Sequence, residues 1–256
     1  MKAVILAGGL GTRLGEITDS IPKPMVEIGG KPIIWHIMKM YGHHGITDFV
    51  ICLGYRSYVV KEFFSNYFLH MSDVTFNMVD NSVEIHNNSA EPWRVTLVDT
   101  GTSTMTGGRL RRIQSYLEDD TFCMTYGDGV SNIDIADSIK FHHAHGRLAT
   151  VTAVNQPGRF GVLHSEGDVV KEVREKVVSS ESLINGGFFV LEPEALSYID
   201  NDETVWEQSP LRALAKVDQL RQYHHGGFWQ SMDTIREKVM LEEMWQGGNP
   251  PWRTWS

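Results

Sequence analysis

Five charged side chains in this sequence sit where their neighbours could turn charge into chemistry: Arg13, Lys23, Arg109, Asp128 and Asp233. Arg13 ends the loop Gly8-Gly9-Leu10-Gly11-Thr12-Arg13, where glycines let backbone N–H groups turn around an anion and the guanidinium adds a permanent positive charge. That combination suits a triphosphate. The loop is not a Walker A motif, because no Lys-Ser or Lys-Thr follows the glycines. It is not a dinucleotide fingerprint either, because Leu14 stands where the third glycine would be. Lys23 lies between Pro22 and Pro24, which hold the backbone extended on either side and fix where the ammonium points. It reads as a second cation aimed at phosphates.

Asp128 is flanked by Gly127 and Gly129, which leave room for a bulky ligand beside the carboxylate. A lone aspartate in such a turn also has an ordinary structural use. Asp233 follows the aromatic run Phe228-Trp229-Gln230-Ser231-Met232 and is equally placed to cap a helix that starts at Thr234, with Glu237 in its first turn. The segment Thr104-Met105-Thr106-Gly107-Gly108-Arg109 offers hydroxyls, open N–H groups and a guanidinium to a base edge or a phosphate. It would equally serve as the start of a helix capped by Thr106.

These side chains need a frame. Ala3 to Ala7 is an apolar, β-branched run that reads as a buried strand feeding the first glycine loop. Further strands are expected over Asp48 to Gly54, Val95 to Asp99 and Thr121 to Tyr126. Helices are expected over Lys31 to Tyr41, Val59 to Phe68, Gly108 to Leu117 and Ile135 to His145, the last closed by Gly146. Asp73 to His86 alternates around Asp80-Asn81, a hairpin signal. This alternation implies a mostly parallel α/β sheet with helices on both faces, in which ligands sit at the carboxyl ends of strands. Both Gly8–Arg13 and Gly127–Gly129 lie at such ends. The second half is richer in strands: Thr150 to Val154, Gly161 to His164, Val169 to Arg174 and Phe188 to Leu191, with helices over Trp206 to Lys216 and Thr234 to Trp245. With no linker or repeat in the sequence, residues 1–256 read as one domain. The tail carries Trp252 and Trp255 and is expected to pack on the body or on a neighbouring subunit.

The pattern L-A-G-G-x-G-T-R-L, then P-K-P-M, then G-K-P-I, resembles the sugar-1-phosphate nucleotidylyltransferases. Thr125-Tyr126-Gly127-Asp128-Gly129-Val130, Asn185-Gly186-Gly187-Phe188 and Gly227-Phe228-Trp229-Gln230-Ser231-Met232-Asp233 extend the likeness over nearly the whole chain. Within the family the likeness is closest to the branch that passes a cytidylyl group from CTP to glucose 1-phosphate. The resemblance implies a Rossmann-like mixed α/β fold with a smaller, β-rich sugar-binding part. It implies Mg²⁺ as cofactor, held by Asp128 and Asp233, with Arg13 and Lys23 stabilising charge at the reacting phosphates. It also implies that Leu6, Ala7, Gly8, Gly9, Leu10, Gly11 and Thr12, together with Gly127, Thr104 and Arg109, contact the nucleotide. Glu175, Lys176, Asn185 and Gly186 are then the sugar-phosphate contacts. Family members have proline after the Glu-Lys pair; this chain has Val177, which opens the question of the acceptor. Homo-oligomers are the rule in the family.

Composition excludes some classes. The 256 residues are 41% hydrophobic, enough for a large core. A net charge of -9 argues against a nucleic-acid surface, which would need a basic stripe. No apolar run approaches the roughly 20 residues of a membrane helix, and no secretory leader opens the sequence, so a cytoplasmic location is expected. Cys52 and Cys123 fall in apolar strands and read as reduced core thiols. His142, His143 and His145 read as a solvated helix end rather than a zinc site, and Trp206 as core or as a sugar-stacking ring. Three alternatives stay open: another nucleotide or acceptor on the same fold, a non-catalytic nucleotide-binding subunit, and a glycosyltransferase. The last is disfavoured because Asp128-Gly129-Val130 lacks the second carboxylate of an Asp-x-Asp motif.

Overall fold

The computed structural model describes residues 1–11, 14–155, 162–166, 169–174 and 183–255. The strands in chain order are β1 (Ala3–Leu6), the short pair β2 (Glu27–Ile28) and β3 (Lys31–Pro32), β4 (Asp48–Leu53), the hairpin β5 (Ser72–Asn77) and β6 (Ser82–Asn88), and β7 (Arg94–Asp99). Then come β8 (Phe122–Tyr126), β9 (Gly129–Ser131), β10 (Ala149–Asn155), the pair β11 (Val162–Glu166) and β12 (Val169–Arg174), β13 (Leu183–Leu191), β14 (Leu220–His225) and β15 (Trp229–Ser231). The helices are α1 (Glu16–Ser20), α2 (Ile33–His43), α3 (Ser57–His70), α4 (Thr106–Arg112), α5 (Ile135–His145), α6 (Ser209–Lys216) and α7 (Ile235–Gln246).

A seven-stranded sheet in the order β14-β10-β13-β8-β1-β4-β7 forms the centre. Strands β8, β1, β4 and β7 are parallel, as the βαβ alternation predicts. β13 runs antiparallel between β8 and β10, so the sheet is mixed. Its period of two sorts the apolar side chains onto opposite faces. Ala3, Ile5, Phe49 and Ile51 join one core with α2, α7 and the start of α5. Val4, Leu6, Val50 and Cys52 join another with Leu110 of α4 and Leu214 of α6. Cys52 and Cys123 are free and buried, and burial pushes both thiols up to about 12.

Several expectations are revised. Strand β14, parallel to β10, had no clear apolar signal: Leu220 to His225 alternates only partly and lies at the sheet edge. The last helix of the second core begins at Ser209, and Trp206 lies in the turn before it, fully buried against Phe189. Trp206 is therefore core and does not stack on a ligand. Lys23 opens a single 3-10 turn, Lys23–Met25, entered from an extended Pro22, rather than an extended segment. His142 is buried and bonds Thr150 (2.8 Å) and Glu192 (3.0 Å), so that histidine is a satisfied core group and not a solvated one. The tail packs on the body: Trp252 is fully buried and stacks on Phe228 and Trp245. Among the described residues, no helix is long and apolar enough to cross a membrane.

Candidate active site

Two clefts meet at the carboxyl end of β8. The larger, about 540 Å³, is lined by Leu6, Ala7, Gly8, Gly9, Leu10 and Gly11 at the end of β1. Lys23, Thr104, Arg109, Gly127 and Asp128 complete the expected residues on its walls. The smaller, about 290 Å³, holds Asn185, Gly186, Asp128 and Asp233, joined by Trp229 and Ser231. Tyr126 and Asp128 belong to both. Thr12, Arg13, Glu175 and Lys176 lie outside the described residues.

The two aspartates are 105 residues apart in sequence, yet both reach Lys23, and a small ladder explains how. β9 and β15 pair antiparallel with Gly129 opposite Ser231, and the Met232 amide donates to the Asp128 carbonyl at 2.8 Å. The residue before one strand is thereby set beside the residues after the other. The Lys23 ammonium donates to Asp128 Oδ2 at 2.6 Å and to Asp233 Oδ1 at 2.7 Å. Burial alone would lower the lysine's pKa; the facing Asp128 and Asp233 carboxylates more than offset this and hold it above its ordinary value.

Helix α7 leaves Asp233 available for this contact because another residue caps it. Thr234 is the N-cap, accepting from the Glu237 amide, while the Glu237 carboxylate accepts from the amides of both Thr234 (2.8 Å) and Asp233 (2.7 Å). The capping role foreseen for Asp233 thus falls to its neighbour. Thr106 likewise does not cap α4: its hydroxyl donates to Glu207 at 2.7 Å and accepts from the Trp206 amide at 2.9 Å.

Arg109 is 5% exposed and serves the loop from behind. Its guanidinium donates to the carbonyls of Gly8 (3.0 Å), Leu53 (3.0 Å) and Gly101 (2.8 Å) and to the Thr100 hydroxyl (2.7 Å). Gly8 is required for this approach, since a Cβ there would lie 2.1 Å from an Arg109 nitrogen. The charge the sequence offered to a ligand is thus largely engaged with backbone carbonyls that shape the loop. On the smaller cleft, the Trp229 indole donates to the Gly186 carbonyl at 2.6 Å, and Asn185 accepts from the Gly187 amide at 2.8 Å.

Two hard carboxylate oxygens converging on one cation, here an ammonium, match what Mg²⁺ needs when phosphate oxygens and waters supply its remaining ligands. The residues therefore fit that ion. Among the described residues, no group of three or more His, Cys, Asp or Glu gathers into a metal centre of another kind.

Sequence reasoning missed Tyr126, Trp229, Ser231 and Glu207 as parts of this region. Tyr126 and Trp229 stood inside recognised motifs, but only the pairing of β8 with its neighbours and of β15 with β9 turns them toward a shared cleft. Glu207 carries no local signal.

Comparison with known proteins agrees with this geometry. Over its full length the chain is 60% identical to the whole of "Glucose-1-phosphate cytidylyltransferase" of Salmonella typhi. It is 42% identical, again over both full lengths, to "Probable glucose-1-phosphate cytidylyltransferase" of Bacillus subtilis. The fold is shared with the crystal structure of HddC from Yersinia pseudotuberculosis, with a TM-score of 0.69 and 22% identity, covering 95% of this chain and 99% of that one. Residues 2–225 match the family described as nucleotidyl transferase. With a mixed α/β sheet, paired clefts at its strand ends and full-length relatives of this kind, the chain belongs to the nucleotidyl transferase family.

Proposed function

We propose that this enzyme transfers a cytidylyl group from CTP to α-D-glucose 1-phosphate, giving CDP-glucose and pyrophosphate. The observation that carries a two-substrate transfer is the pair of clefts sharing Asp128 and Tyr126. The choice of CTP and glucose 1-phosphate is supported by the names of the full-length relatives.

The larger cleft takes the nucleotide and the smaller one the sugar. A sugar-phosphate oxygen attacks the α-phosphorus; that bond forms as the bond from the α-phosphorus to the bridging oxygen of pyrophosphate breaks. The attacking phosphate is already ionised near neutral pH, its second pKa being about 6, so no general base is required. The protein's task is to align two anions and stabilise charge. Lys23 brings the positive charge nearest the meeting point, with Arg13 assigned beside it. Asp128 and Asp233 would hold Mg²⁺, which when bound supplies charge neutralisation at the reacting phosphates. Thr104 and the loop Leu6 to Thr12 contact the nucleotide, with Arg109 bracing that loop, and Gly127 leaves the phosphates room. Asn185, Gly186, Glu175 and Lys176 contact the sugar phosphate. In this reading residues 1–256 form one catalytic domain working in the cytoplasm, away from membranes and nucleic acid.

The turn of the hairpin β5–β6 leaves Met78 81% and Val79 95% exposed. The homo-oligomer implied by the family resemblance belongs to this reading, with this exposed hairpin as one surface for a second copy of the chain. Sedimentation velocity tests this homo-oligomer; a monomer at micromolar concentration would refute it.

The deciding experiment is pyrophosphate release with Mg²⁺, crossing CTP, UTP and dTTP against glucose 1-phosphate and other phosphorylated acceptors. Release confined to CTP with glucose 1-phosphate is expected. CTP turnover only with another acceptor would move the sugar assignment and bring Val177 to the fore. Silence throughout with CTP still bound would leave a binding subunit.

A further inference from the structure

Glu207 lines neither cleft, yet it is bonded to the walls of both. One carboxylate oxygen accepts from Thr106, on the nucleotide side; the other accepts from the Tyr126 hydroxyl, at the partition between the clefts. Asn185 lines the smaller cleft together with the same tyrosine, and its own carbonyl oxygen accepts from the Gly187 amide. Hydrogen bonds thus run Thr106–Glu207–Tyr126, from the wall of the larger cleft to the residue that the two clefts share.

The anchor of this chain is rigid. Glu207 follows Trp206, which is fully buried against Phe189, and the Trp206 amide donates back to Thr106. The Tyr126 ring is trapped as well: Gly187, at φ +79°, lies so close that a Cβ there would come within 2.6 Å of the ring. Neither end of the Tyr126–Glu207 bond is therefore free to drift. Reaction between two bound anions depends on their separation and in-line orientation, where misplacement by about 1 Å can cost 10²-fold in rate.

We propose that Glu207 is a positioning residue for the transfer, setting the distance between the nucleotide and sugar subsites by tying Thr106 to Tyr126. The inference rests on the two-substrate reading above but not on which nucleotide or sugar is used.

The test is steady-state kinetics on Glu207→Ala, Glu207→Gln, Tyr126→Phe and the double variant Glu207→Ala/Tyr126→Phe, with the substrate pair that the wild type turns over fastest. Glu207→Ala is expected to lower kcat by about 10- to 100-fold while both KM values move less, because binding survives and alignment does not. Tyr126→Phe should lose a similar factor, and the double variant should be little worse than either single one, since all three cut the same link. Glu207→Gln keeps an acceptor for Tyr126 and should recover most of the rate. Single variants within twofold of wild-type kcat, or losses that multiply in the double variant, would overturn the proposal. If Glu207→Ala does not fold, Tyr126→Phe, which removes only one hydroxyl, decides alone. A wild type that prefers substrates other than CTP and glucose 1-phosphate would count against the assigned reaction and leave this test of Glu207 intact.

Discussion

The two clefts are walled by different means. The larger cleft draws on two short stretches of chain, the glycine loop after β1 and Thr102 to Thr106, and Arg109 on its wall donates to carbonyls that shape the loop. The sugar side is assembled from side chains on β13 and β15, which meet β8 and β9 only through antiparallel pairing. One wall leans on short runs of consecutive residues; the other exists only once distant strands are in register. Damage to the first should therefore appear as lost stability together with lost nucleotide affinity. Damage to the second should appear as selective loss of the acceptor.

The largest effect is expected where the walls join. Asp128→Ala or Asp233→Ala should reduce kcat by at least about 10²- to 10³-fold, the scale on which single charge-stabilising groups act. Circular dichroism should remain that of the wild type. Near-normal turnover by either variant would remove that residue from the reacting centre.

Arg109→Met separates the walls. It leaves the carbonyls of Gly8, Leu53 and Gly101 without this donor in a buried setting, at about 1–3 kcal/mol for a group left unsatisfied. Chemical denaturation should report the loss, and KM for the nucleotide should rise while KM for the sugar phosphate stays put. Full stability would show that the loop does not depend on this brace.

Trp229→Phe is the mildest probe and belongs to the other wall. It deletes one N–H···O bond, to the Gly186 carbonyl, with a typical net value of about 1 kcal/mol. A severalfold rise in KM for the sugar phosphate alone is expected. An equal rise for the nucleotide would dissolve the distinction between the walls.

The contrast also explains what could be read in one dimension. The parallel strands β1, β4, β7 and β8 and helix α5 were legible, because apolar runs and a terminal glycine mark them locally. Asp128 was legible as a strand-end carboxylate between glycines. Its meeting with Asp233 was legible only through the family resemblance, because no local signal carries it and it depends on the Gly129–Ser231 register. Arg109 was visible as a charge, but nothing local says whether a guanidinium faces a ligand or three carbonyls of its own chain. Glu207 is a single acidic residue among 32 acidic residues, and only the fold brings its two oxygens to Thr106 and Tyr126.

The cap at the start of α7 bears on how freely this sequence can drift. In an ordinary helix, replacing a threonine N-cap by alanine costs about 1 kcal/mol, which a stable protein absorbs. Here the same box, through the Glu237 carboxylate, also holds the Asp233 amide. Thr234 and Glu237 thus answer to two demands at once, one from the helix they begin and one from the carboxylate beside them. A substitution that stability alone would tolerate at either position meets a second filter in the reaction.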